Sequence, residues 1–245
     1  DGYMYIVDYN NARIQRWYPG ASYGTTVASG ALNLPIGLAF DRLANLVVAD
    51  TSYHRIVSYG LVCPASTTTT TAPPIPTTTP LCSTSIWNQT ILIIAGSTSN
   101  AGSTSTSLYN PYDIDFDGYN NLYVVDYTNH RIQRFDTGSL TGSTVAGVTG
   151  SAGSSRSQLY YPTSISVTKN ETMFIMDTSN YRVLRWQMGD ALGYVVAGGN
   201  GNGGAFTQIG ASYELFIDTQ YNVYVSENSN HRVTKWLSTN PSIGI

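Results

Sequence analysis

The sequence predicts an all-β protein, a β-propeller of four-stranded antiparallel blades, and three observations lead there. Five times an acidic residue is followed five positions later by an arginine: Asp8 and Arg13, Asp50 and Arg55, Asp126 and Arg131, Asp177 and Arg182, Glu227 and Arg232. The arginines are spaced by 42, 76, 51 and 50 residues, a period that suits propeller blades rather than helical solenoids, with one insertion. Between the pairs the chain shows the period-two alternation of strands, and no stretch offers a convincing amphipathic helix.

Taken in order, the first unit holds the hairpin of Asp8 and Arg13 and an outer strand at 25–30 (TTVASG). The second has an inner strand at 35–41 (PIGLAFD), the hairpin of Asp50 and Arg55, the insertion, and an outer strand at 92–97 (LIIAGS). The third is the clearest. Residues 111–117 (PYDIDFD) alternate, 121–126 (NLYVVD) are aromatic and β-branched, TNH is a polar turn, 131–135 (RIQRF) alternate again, and 143–148 (STVAGV) form the outer strand. The fourth repeats this with 162–168 (PTSISVT), Asp177 and Arg182, and 194–199 (YVVAGG). The fifth has 212–218 (SYELFID) and the hairpin of Glu227 and Arg232, so five hairpins accompany four inner strands.

Each acid closes one strand and each arginine opens the next, so the turn brings them together, where a guanidinium can bridge a carboxylate and donate to turn carbonyls. All five pairs are read as structural, fixing turn geometry and blade spacing. The column Trp17, Tyr59, Phe135, Trp186 and Trp236 is read as filling between neighbouring sheets.

The turn of Asn129, His130, Arg131 and Ile132, and that of Asn230, His231, Arg232 and Val233, resemble the NHL repeat family; Ala12, Tyr181 and Glu227 depart from its pattern conservatively. The resemblance covers nearly the whole chain outside the insertion and implies a single NHL-type propeller domain over 1–245. It favours six blades in the parent ring, with five as the other closure. A first unit without its inner strand and a last unit ending in its outer strand read as a fragment, a trimmed chain or a polymer subunit.

The insertion lies between Cys63 and Cys82, the only cysteines. Its eighteen residues include Thr67, Thr68, Thr69, Thr70, Thr71, Thr77, Thr78 and Thr79 with five prolines, the composition of an O-glycosylated stalk. A disulfide closing it, worth roughly 3 kcal/mol in the chain-entropy account, places the chain in an oxidising compartment. Sequons at Asn88 and Asn170 agree, so an extracellular or cell-surface glycoprotein is expected.

Charge excludes one partner class. Only 11% of residues are charged, the formal net charge is -3, and the lysines are Lys169 and Lys235 alone, a poor match to a phosphate backbone. A basic column of Arg16, Arg134, Arg185 and Lys235 could line one rim. No run of eighteen apolar residues offers a membrane span.

Enzymes of related fold, the peptidyl-hydroxyglycine amidating lyases, carry zinc on inner histidines. Here His54, His130 and His231 share one turn position and are spread round the rim, whereas zinc needs its ligands within about 2.1 Å. No G-x-S-x-G elbow occurs, and the glycine run at 198–204 lacks a P-loop lysine. The chain is therefore expected not to be an enzyme. One acidic constellation remains: Asp113, Asp115 and Glu214 on inner strands could hold calcium at the channel mouth. The expected function is a non-catalytic extracellular scaffold for adhesion, matrix or filament assembly through protein or glycan contacts, with self-assembly included, and with covalent glycans but no cofactor.

Overall fold

The computed structural model describes residues 2–62 and 86–245. Cys63, Cys82 and the threonines at 67–71 and 77–79 lie outside the described residues.

Five antiparallel blades follow one another along the chain. Blade 1 has three strands: β1 (Met4–Asp8), β2 (Arg13–Trp17) and β3 (Thr25–Ala28). Blade 2 holds β4 (Leu38–Phe40), β5 (Leu46–Asp50), β6 (Arg55–Val62) and β7 (Ile86–Gly96). Blade 3 holds β8 (Pro111–Phe116), β9 (Leu122–Asp126), β10 (Arg131–Phe135) and β11 (Gly142–Gly147). Blade 4 holds β12 (Ser164–Val167), β13 (Thr172–Asp177), β14 (Arg182–Gln187) and β15 (Tyr194–Gly198). Blade 5 holds β16 (Ser212–Ile217), β17 (Val223–Glu227), β18 (Arg232–Leu237) and β19 (Asn240–Gly244). The propeller and its four predicted inner strands, β4, β8, β12 and β16, are present, and among the described residues β1 pairs only with β2.

The repeated hairpin is one 3-10 turn closed by a left-handed residue. In blade 3 the turn spans Tyr127–Asn129 and His130 sits at φ 57°, ψ 40°; Ala12, His54, Tyr181 and His231 take the same conformation. Asp126 organises this turn. Its Oδ2 accepts from Arg131 Nε at 2.8 Å and from Asn129 Nδ2 at 2.9 Å, while Oδ1 accepts the Tyr109 amide at 2.7 Å. Arg131 Nη2 donates to the carbonyls of Thr104 and Ser107, so the pair ties the hairpin to the segment that enters the blade. The pairs of blades 2, 3 and 4 are buried, with their aspartates fully shielded from solvent.

The outer strand ends in glycine for a steric reason. Gly147 has φ 81°, and a Cβ there would fall 2.4 Å from the carbonyl oxygen of His130; Gly96 and Gly198 meet His54 and Tyr181 in the same way.

The core lies between blades. Each blade has a back face toward its predecessor and a forward face toward its successor, an outcome of strand alternation. In blade 3, Leu122, Val124 and Phe135 pack back onto blade 2, while Tyr123, Val125 and Ile132 pack forward onto blade 4. Four such clusters join blades 1 to 2, 2 to 3, 3 to 4 and 4 to 5, and among the described residues none joins blade 5 to blade 1. Tyr59, Phe135, Trp186 and Trp236 are buried in these clusters as expected, whereas Trp17 is half-buried on the back face of blade 1.

Candidate functional site

The inner strands β4, β8, β12 and β16 lie side by side around the central channel. Their third column carries Gly37, Asp113, Ser164 and Glu214 in turn. A Cβ at Gly37 would fall 2.7 Å from the Asp113 Cα, so the bare glycine leaves room for that carboxylate.

Ser164 Oγ stands 2.9 Å from Asp113 Oδ2 and 2.7 Å from Glu214 Oε1. A serine hydroxyl has one hydrogen and can donate to only one of these oxygens. The other close contact is a hydrogen bond only when one of the two carboxyl groups carries a proton. Burial, and secondly the charge of Glu214, push the Asp113 carboxyl up to about 7, and burial raises Glu214 as well. Glu214 is exposed at its outer part while Ser164 is buried.

Asp115 stands apart from this group. Its Oδ2 accepts the Val167 amide at 2.7 Å, its Oδ1 the Phe116 amide at 2.8 Å, and burial pushes it up to about 6. Asp113 likewise accepts the amides of Ile114 and Ile165. Both aspartates thus bridge neighbouring inner strands by taking amides. The structure brings Asp113 and Glu214 together and leaves Asp115 outside, and among the described residues no group of three or more histidine, cysteine or acidic side chains is placed to hold a metal.

Tyr112, beside Asp113 in the chain, belongs to a set of tyrosines in ring contact, and Tyr9 and Tyr213 from blades 1 and 5 are near enough to act on it electrostatically. Tyr112 and Tyr127 stack at 4.1 Å, and Tyr127 meets Tyr161 at 4.8 Å, with His130 against Tyr161 at 4.5 Å. Burial pushes Tyr127 up to about 12, with Tyr112, Tyr161 and Tyr213 adding to the effect; Tyr112 is raised by burial and then by Tyr9. Tyr9 and Tyr213 are 42% and 55% exposed. The arrangement offers apolar ring area edged by hydroxyls.

Two of the three histidines hold neighbouring blades through the turns. His54 Nδ1 accepts the Asn110 amide and His130 Nδ1 the Tyr161 amide, each at 3.2 Å and each across a blade junction. Burial lowers the pKa of His130. Of the basic column, Arg134 pairs with Asp136 and Glu171, and Lys235 stands 3.9 Å from Asp218. Asn88 on β7 and Asn170 in the turn before β13 are exposed.

The grooves elsewhere repeat with the blades. One of about 600 Å³ lies between blades 4 and 5 against Val223 and Trp236, and one of about 450 Å³ lies between blades 2 and 3 against the equivalent Leu122 and Phe135. Recurrence at equivalent places marks them as products of blade packing.

Sequence reasoning named Asp113 and Glu214 together but missed Ser164 between them, and it missed the tyrosine set. The signal was available: Tyr9 and Tyr127 share the position after the repeated aspartate, and Tyr112 and Tyr213 share the second position of the inner strand.

No family model matches the chain, and no curated protein matches it. Solved structures do. The chain is similar to a structure described as a nidogen/laminin complex (17% identity, TM-score 0.67, covering all of this chain and 74% of that one). It is similar to XC5397 from Xanthomonas campestris, described as a gluconolactonase (11%, TM-score 0.67, covering 99% and 71%). It is also similar to a streptogramin B lyase (9%, TM-score 0.60, covering 98%), and it spans 63% of that chain. At these identities the likeness establishes the β-propeller fold. The expectation that the chain is not an enzyme is overturned here. Propellers of this shape include a lyase and a gluconolactonase, so lack of a three-histidine zinc arrangement excludes one chemistry and not catalysis.

Proposed function

We propose that the chain is an extracellular glycoprotein module, a propeller of NHL type, that binds a protein partner on its hairpin face in adhesion or matrix assembly. The observation that carries this reading is the set of tyrosines from four blades, partly exposed, around the mouth of the channel. Rigid rings with a hydroxyl edge supply contact area at low entropic cost and are enriched at protein interfaces. The cysteine-flanked threonine tract, the exposed sequons and the low charge support secretion, and a nidogen/laminin complex has the same fold. Glycan partners fit the same face by stacking on the rings.

The test is an array of extracellular proteins and glycans probed with the wild-type chain and with the Tyr9→Ala, Tyr213→Ala double variant. Binding should be lost in the variant, and equal binding by both would remove the hairpin face from the proposal. Peptide mapping of natively isolated material should find glycans at Asn88 and Asn170; bare sequons with reduced cysteines would remove the extracellular reading.

A second reading is carried by Asp113, held near pH 7 beside Ser164 and Glu214 and so suited to proton transfer. Turnover of a lactone or ester that disappears in Asp113→Asn would favour it, and absence of turnover across such a panel would set it aside.

A further inference from the structure

Arg134 and Arg185 hold the same place in blades 3 and 4, each opposite an aromatic residue of the adjoining strand, Tyr123 and Phe174. Blade 3 shows what such an arginine takes. Arg134 reaches Asp136 on its own blade and, at 3.3 Å, Glu171 in the turn before β13, so a carboxylate spans that junction. At the next junction both acids are replaced. Gln187 stands where blade 3 has Asp136, and Tyr221 stands where blade 4 has Glu171. The two turns match, since Glu171 and Tyr221 have φ 60° and 62° and each donates its amide to the carbonyl three residues back. Among the described residues Arg185 therefore has no ion pair. Nor has Arg156, whose Nε donates to the Gly193 carbonyl and whose guanidinium lies over the same Tyr194 ring, at 4.8 Å against 5.8 Å for Arg185.

Arg185 borders the groove of about 600 Å³ between blades 4 and 5, together with Tyr194, Val195 and Tyr221, which are 50%, 41% and 49% exposed. Blade packing makes the groove, but its lining is particular to it. The equivalent groove between blades 2 and 3 has Ser58 in place of Arg185 and Asn120 in place of Tyr221. Asp190 also borders the groove and makes no ion pair with Arg185. A guanidinium beside exposed rings and a β-branched side chain is complementary to a carboxylate next to an apolar group.

We propose that this groove binds an acidic peptide segment of a partner protein, with a glutamate or aspartate carboxylate on Arg185 and a neighbouring apolar side chain against Tyr194, Val195 and Tyr221. The pattern for the occupant is the chain's own Glu171, a carboxylate carried on a peptide and set on the equivalent Arg134. The groove stands apart from the hairpin face. Thr172 and Gln187, which also line it, pair at the end of β13 and β14 opposite to Asp177 and Arg182. Binding at the tyrosine set can therefore fail without touching this site.

The test is fluorescence polarisation of the full 245-residue chain with two libraries of short labelled peptides, both with randomised apolar flanks, one with a central glutamate and one with a central glutamine. The glutamate peptides should bind, and their glutamine counterparts should bind roughly tenfold more weakly or worse, since a charge-assisted bond is lost. Arg185→Gln should weaken the glutamate peptides by a similar factor. Tyr221→Glu should abolish their binding, because it returns to this junction the carboxylate that Arg134 already meets. Both substitutions are at exposed positions and are checked for an unchanged circular dichroism spectrum. The Tyr9→Ala, Tyr213→Ala variant should bind these peptides as the wild-type chain does. Equal binding of the two libraries, or binding that survives Arg185→Gln or Tyr221→Glu, overturns the proposal. So does loss of binding in the Tyr9→Ala, Tyr213→Ala variant, or a groove that takes a sulfated oligosaccharide and no peptide from either library.

Discussion

Blades 1 and 3 carry the same hairpin motif in very different surroundings. In blade 3 the pair Asp126 and Arg131 is buried, accepts an entering amide and donates to entering carbonyls. In blade 1, Arg13 meets Asp8 at the same short distance, but both remain partly exposed and no entering segment is held among the described residues. An identical local pattern is thus a clamp in one place and a surface pair in the other. What separates them is the neighbouring chain that shields the charges, because a guanidinium and a carboxylate attract weakly in water and strongly when solvent is excluded.

Removing the arginine from each motif tests this contrast and carries the largest expected effect. Arg131→Ala leaves a buried aspartate and two carbonyls without their partner and should cost about 3–5 kcal/mol in urea unfolding. Arg13→Ala should leave the transition nearly unmoved. Similar losses at both sites would mean that the turn, not its burial, supplies the stability.

A smaller difference should separate two histidines. His130→Ala and His231→Ala both place alanine in a left-handed conformation, so that penalty cancels between them. Only His130 accepts an amide across a junction, and its variant should be less stable than the other by about 1 kcal/mol. Equal stabilities would show that the junction bond contributes nothing net.

The remaining expected effect is a pH dependence confined to the channel floor. The Asp113 carboxyl rises from the ordinary 3.8 to about 7 in the folded chain. The native state therefore binds more protons than the unfolded state between those values, so this group's contribution is present below about pH 4 and is lost as pH rises through about 7. Asp113→Asn should flatten that part of the stability curve. A difference curve between wild type and variant that stays level from pH 4 to 7 would show that burial beside Glu214 does not hold a proton on Asp113.

Much of this molecule was legible in the sequence because the repeat is tied to local requirements. The acid, the asparagine and the arginine of 126–131 fall where one short turn must satisfy its own donors and acceptors, and the glycine at 147 falls where the turn backbone comes too close for any Cβ. The site was less legible. Asp113, Ser164 and Glu214 are about fifty residues apart from one to the next, and only the lateral packing of β8, β12 and β16 sets them on a single hydroxyl. Asp115 looked equivalent to Asp113 by alternation, yet its neighbour on β12 offers an amide where Asp113 meets a side chain as well.

The sequence by itself determined the all-β class, the five hairpins, the four inner strands and the arrangement of the blade cores, because strand alternation and turn chemistry act over a few residues. Only the tertiary structure decided which of the five ion pairs are buried, which tyrosines meet one another, and which carboxyls share the Ser164 hydroxyl. Those outcomes depend on what lies across each junction, and side chains of one repeated type differ in energy only through the neighbours that remove them from water.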